Sequence, residues 1–245
     1  MKKFILDLLF PINCLGCGQE GQFICPACFE QMPLNKKRSL KFSSSALTDL
    51  IIASDYDYPL VKQAIHRYKY DFVKDLAEPL GQLMVKRLNV ILNDSEESFK
   101  NLLLIPVPLH KKRLRWRGFN QAELLAQKIS QELRIPLVNN FLIRTKYRLP
   151  QVAIKSSQER KENIKHAFQL NPEIGTVTKD GPCSRVLAKQ GHSERTVLDL
   201  ISNIKNKVII LVDDVCTTEA TLEECAKVLK PFQSKQIWGL VVARG

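Results

Sequence analysis

The chain lacks any apolar stretch approaching the roughly 20 residues that cross a bilayer as a helix, so a helical membrane span is excluded. It is also short of acid. Against 37 Lys+Arg stand 25 Asp+Glu, a formal charge of +12, which favours a polyanionic partner such as DNA, RNA or a phosphorylated metabolite without choosing among them. Nor does the N-terminus, MKKFILDLLFPINCLGC, offer a small-residue cleavage site. Lys2 and Lys3 precede apolar residues as in a signal peptide, but Asp7 interrupts the run, Pro11 follows closely and cysteines begin at once. Phe4, Leu8, Leu9 and Phe10 read instead as a short helix packing on the body, and the protein is expected to be soluble and cytoplasmic. With 245 residues and 44% hydrophobic content there is material for one α/β domain plus a small appendage, not for two equal large domains.

Cys14, Cys17, Cys25 and Cys28 form two C-x2-C pairs, with Gly16 and Gly18 around the first and Pro26 in the second. Each pair places two thiolates on one side of a tight turn, and two such turns supply a tetrahedral four-sulfur zinc site. Disulfides are the alternative reading, disfavoured in a reducing cytosol. The module is expected over residues 1–35, and because a cysteine segment of about 20 residues cannot bury a useful core, the metal would supply its folding free energy; four sulfurs leave no open position, which makes the expected zinc structural. Cys183, Cys216 and Cys225 stand apart. Cys225 reads as a core residue, and Cys216 either as a thiol open to oxidation or, the favoured reading, as a tolerated small residue.

Residues 33–45, with Lys36, Lys37, Arg38, Lys41 and serines, read as a linker to a body at 46–245. There, Pro59 marks a turn into two helices broken near Tyr70 and Asp71, and Leu102 to Val107 reads as an apolar strand ended by Pro106 and Pro108. A basic loop follows, Lys111, Lys112, Arg113, Arg115 and Arg117 around Trp116, running into an amphipathic helix. Basic groups with an aromatic suit single-stranded nucleic acid, phosphates gripped and a base stacked on Trp116; a solvated basic face with Trp116 partly buried is the other reading. Gly118 reads as a turn, Phe119 as an anchor and Asn120, before Gln121, as the helix cap.

The densest signal is VIILVDDVCTTEATLEECAKVLK, Val208 to Lys230. A β-branched run of this kind is expected of a parallel strand buried on both faces, and Leu222, Ala226 and Leu229 then recur at helical spacing. The turn between them therefore lies at a strand's carboxyl end. Asp213 and Asp214 can accept hydrogen bonds from vicinal sugar hydroxyls, while Thr217, Thr218 and Thr221 offer hydroxyls and amides at a helix N-terminus, where phosphate is favoured. Read blandly, the same residues are helix caps. The segment resembles the phosphoribosyl pyrophosphate (PRPP) motif of type I phosphoribosyltransferases, matched at Asp213, Asp214, Thr217, Thr218, Ala220 and Thr221. Glu219 departs from it. That family has glycine there, and a glutamate adds a Cβ and a negative charge beside the expected dianion, so weaker PRPP affinity is expected.

PVPLHKKRLRWRGFNQAELLA is similar to the signature of the ComF family of competence-associated, phosphoribosyltransferase-like proteins, which also begin with a four-cysteine zinc module. Gln151, Glu159, Arg160, Asn163, Ala167 and Phe168 resemble that family's mobile catalytic-loop segment, and Lys69 in IHRYKY one of its basic positions. The resemblance covers 4–170 and 206–245; residues at about 171–205 depart from it as an insertion. It implies a type I phosphoribosyltransferase-like α/β fold, a parallel sheet flanked by helices behind a small zinc ribbon. It further implies PRPP with its 5-phosphate on residues 217–221, Glu219 and Ala220 included, its ribose hydroxyls on Asp213 and Asp214, and Mg2+ on its pyrophosphate. Arg160 and Arg117 would then stabilise the departing charge of a phosphoribosyl transfer. The implied role is natural competence, alongside a DNA helicase on the cytoplasmic side of the membrane. A non-catalytic single-stranded DNA-binding protein is the alternative, and a purely structural adaptor a third.

Overall fold

The computed structural model describes residues 11–35, 40–41, 45–93, 99–146, 164–172, 204 and 207–245. The expectations for residues 4–10, for Lys36 to Arg38, for Gln151, Glu159, Arg160, Asn163 and Cys183, and for most of the insertion fall outside them.

Strand β6 (Val208–Cys216) is an inner strand of a five-stranded sheet ordered β1-β2-β7-β6-β3. On one side it pairs in parallel with β3 (Leu102–Pro106), and on the other with β7 (Gln236–Arg244). β7 pairs in parallel with β2 (Asp49–Asp55), whose outer edge carries β1 (Leu40–Lys41), antiparallel to it. Helices cover both faces, as a parallel sheet demands. Ile210 and Val212 pack toward α2 (Pro59–Tyr70), α3 (Ala77–Asn93) and α5 (Gln121–Leu133). Ile209 and Leu211 face the opposite layer, built from α6 (Ala220–Leu229) and a separate hairpin of β4 (Leu142–Arg144) and β5 (Phe168–Leu170). The fold is thus the expected α/β architecture, a parallel sheet with flanking helices behind an N-terminal cysteine module.

The aspartates lie inside the β6 ladder, because β7 continues beside them with Asp213 opposite Val241 and Cys216 opposite Arg244. Two local features differ from expectation. The basic stretch is not a loop but the short helix α4 (Lys111–Arg117), closed by Gly118 at φ +80, the left-handed conformation that ends helices. Its start is capped by His110, whose Nδ1 accepts from the Lys112 amide at 3.2 Å. Asn120 precedes α5 as expected but makes no side-chain cap; its Nδ2 donates to the carbonyl of Val107 at 3.1 Å, tying the helix start to the end of β3.

The expected break after α2 is made by Phe72, which adopts φ +57, a strained state for an aromatic residue. The cysteine module is part of the same body. Ile24, Cys25, Cys28 and Met32 are buried in one cluster with Ile51, Leu60, Ala64 and Ile65. Asn35 continues it onto β2, its amide donating to Ala53 at 2.9 Å and its side chain to Asp55 at 2.8 Å.

Candidate functional site

Because successive strand residues point to opposite faces, Asp213 and Asp214 serve different sides of the sheet. Asp214 is buried at 7% exposure and its Oδ1 meets the Lys69 ammonium, from the last turn of α2, at 3.1 Å. Burial works against the Lys69 charge, but Asp214 and Asp213 outweigh it and raise its pKa. Burial, followed by the neighbouring Asp214 charge, pushes Asp213 up to about 7. The side chains also turn back on the strand: the Asp214 amide donates to Asp213 Oδ1 at 2.8 Å and the Val215 amide to Asp214 Oδ1 at 2.6 Å. An acidic pair, Asp214 buried and Asp213 half-buried, thus stands with one ammonium near the carboxyl end of this inner strand.

Two arginines approach it. Burial lowers the Arg117 pKa while Asp214 opposes that shift. Burial lowers Arg144 likewise, with Arg113 adding repulsion and Asp213 opposing. The Nε of each is buried and has no hydrogen-bond partner among the described residues. Arg144 was not singled out from sequence; it sits on β4, its guanidinium over the Phe168 ring at 5.4 Å. Around Arg117 the surface is aromatic. Phe72 meets Trp116 edge-on at 4.8 Å, and Trp116 remains 66% exposed, more open than either a core residue or a partly buried one. Lys111, Lys112, Arg113 and Arg115 share α4 with it.

Beyond β6 the chain turns through Thr217, which is exposed, and Thr218 into α6, where Ala220 and Thr221 form the first turn. Glu219 occupies the N-cap position in a helical conformation and caps nothing. Its Oε1 instead pairs with Arg244 at 2.7 Å. Cys216 is buried and burial pushes its thiol up to about 12, which removes the reading as an oxidisable cysteine. Cys225 is fully buried in the core, as expected.

The cysteine sulfurs of Cys14, Cys17, Cys25 and Cys28 all lie within 4.8 Å of one another. Cys17 and Cys25 approach to 3.6 Å, close to the roughly 3.8 Å edge of a tetrahedron with ~2.3 Å zinc–sulfur bonds. The Cys25 amide donates to the Cys14 sulfur at 3.3 Å and the Cys28 amide to Cys25 at 3.4 Å, bonds that stabilise thiolates. All four are free thiols. The donor set therefore fits a closed structural zinc site rather than disulfides.

A parallel α/β sheet with an acidic pair near the carboxyl end of an inner strand, joined to a four-cysteine module, defines a zinc-ribbon-bearing α/β protein. The double zinc ribbon family model matches residues 5–43. The competence protein F of Haemophilus influenzae is 30% identical over 94% of this chain and 84% of that protein. The DNA utilization protein YhgH of Escherichia coli K12 is 28% identical, covering 78% of this chain and 70% of its own length; the competence protein ComFC of Bacillus subtilis is 24% identical, covering 84% and 71%. The Leishmania donovani hypoxanthine-guanine phosphoribosyltransferase superposes over 69% of this chain and 71% of its own with a TM-score of 0.36 and 12% identity, too loosely to place any residue. This chain belongs to the competence protein F family.

Proposed function

We propose that the protein binds a phosphoribosyl group, PRPP or a close relative, at the carboxyl end of β6, and that it takes part in the uptake or processing of transforming DNA. The observation that carries the first half is the Lys69–Asp214–Asp213 cluster standing beside a threonine turn and a helix N-terminus. Ribose hydroxyls would donate to the two carboxylates, and the 5-phosphate would take the amides and hydroxyls of residues 217–221. Arg117, with its unpartnered Nε, and Arg160 from the catalytic-loop segment would face the pyrophosphate, which arrives with Mg2+. The names of the relatives, two competence proteins and a DNA utilization protein, support the second half.

Calorimetric titration of PRPP with Mg2+ is expected to give saturable binding that falls at least about tenfold in Asp213→Asn, a loss of ~1.4 kcal/mol. Binding unaffected by that substitution would sink the assignment.

The exposed Trp116 on a helix of four further cations besides Arg117 favours a second reading, a single-stranded DNA surface beside the same site. Its mark would be salt. Affinity for an oligonucleotide should fall steeply as salt rises, and Trp116→Ala should weaken it without changing PRPP binding.

A further inference from the structure

At Glu219 a carboxylate stands where, on the reading above, a phosphate is to arrive. Glu219 is at the N-cap position yet makes no capping hydrogen bond, so its carboxylate does not occupy the amides at the start of α6. It is drawn aside by Arg244, whose guanidinium meets Oε1 at 2.7 Å.

Arg244 is held in place by the sheet itself. Its partner in the ladder is Cys216, the last residue of β6, and the next amide, that of Gly245, donates to the Cys216 carbonyl at 3.0 Å. The arginine is therefore fixed to the strand end from which the threonine turn departs. The pair is partly open to solvent, Arg244 at 43% and Glu219 at 26% side-chain exposure, so it is accessible to an arriving ligand.

We infer that Arg244 is a positioning residue of the phosphoribosyl site, holding Glu219 off the helix N-terminus and cancelling its charge so that the turn accepts a phosphate dianion despite having glutamate in place of glycine. This rests on the phosphoribosyl reading above. The charges explain the direction. With the pair intact, the turn presents a formally neutral couple and free amides; without the arginine, an unpaired carboxylate repels the dianion and competes for the same amides.

The test is calorimetric titration of ribose 5-phosphate into four zinc-loaded full-length proteins, native, Glu219→Gly, Arg244→Gln and the double variant, with Arg244→Lys as the conservative control and thermal unfolding to confirm that each is folded. Arg244→Gln is expected to lose at least about tenfold in affinity in the native background but less than about threefold beside Glu219→Gly, a non-additivity that marks coupled residues. Arg244→Lys, which keeps the charge, should stay within about threefold of native. An equal loss in both backgrounds, no loss at all, or binding that appears only in Glu219→Gly overturns the role of Arg244 and leaves the site standing. No binding by the native chain and by Glu219→Gly alike overturns the phosphoribosyl reading and the inference with it.

Discussion

Stripping zinc from the protein with a chelator is expected to lower its thermal midpoint by roughly 8–16 °C, and to do so in a single transition that includes the sheet. The reason is where the cysteines sit. Cys14, Cys25 and Cys28 are buried in the same apolar cluster as Ile51 and Ala53 of β2 and Leu60, Ala64 and Ile65 of α2. A methyl group added at Gly16 would lie 2.7 Å from the Cys28 sulfur and 3.5 Å from Leu60, so the module presses directly on α2. Structural zinc contributes roughly 10–16 kcal/mol to small modules. If only about 4 kcal/mol of that reaches the body, the shift follows, since a chain of this size moves ~2–4 °C per kcal/mol. Cys25→Ser should reproduce the effect without chelator. Differential scanning calorimetry checks both; an early module transition followed by an unmoved sheet transition would show that the module is merely tethered.

The acidic pair predicts an opposite pair of stability effects. Asp213 has a folded pKa of about 7, above its ordinary value near 3.8, because burial and Asp214 disfavour its charge. The folded state therefore holds the proton more tightly than the unfolded chain, and stability contributed by the protonated form is complete below pH ~4 and lost as pH rises toward ~7. Asp213→Asn removes that loss. In the absence of ligand, the variant should be more stable than the native protein at pH 8, by on the order of 2 kcal/mol, and about equal to it at pH 4. Lys69→Met acts the other way, since it leaves Asp214 buried beside Asp213 without its ammonium; a loss of about 3 kcal/mol at pH 8 is expected. Urea denaturation at the two pH values measures both. A native protein whose stability is flat between pH 4 and 8 relative to Asp213→Asn would contradict the strained pair. Such strain, relieved only when ligand hydroxyls satisfy the carboxylates, is the usual mark of a site built for binding rather than for stability.

What could be read from the chain follows from the range of the interactions involved. The β6–turn–α6 unit was readable because a β-branched run, an acidic pair and a helical period are all local patterns. The cysteine module was readable for the same reason, as C-x2-C spacing nearly dictates its turns. The helical state of Lys111–Arg117 was missed although its signals were present: Lys and Arg are good helix formers and Gly118 is a common helix stop. Asn120 reads by type as a cap, but a tertiary partner, the Val107 carbonyl, takes its side chain. Arg144 and Arg244 carried no signal, because hairpin pairing and sheet register alone bring them to the site. The partner of Glu219 belongs to this class: the glutamate was visible as an anomaly, while its arginine became visible only once β7 was laid beside β6.

On the proposed function, two carboxylates near the end of β6 receive the vicinal hydroxyls of a phosphorylated ribose. The most direct measurement is the affinity of the native protein for ribose 5-phosphate against 2-deoxyribose 5-phosphate, under identical salt and pH. The two ligands share the phosphate and differ in one hydroxyl. A preference for ribose of at least about tenfold, reflecting a buried acceptor left unpaired by the deoxy sugar, is the predicted result. Equal affinity for the two sugars, or binding of neither, would contradict the account.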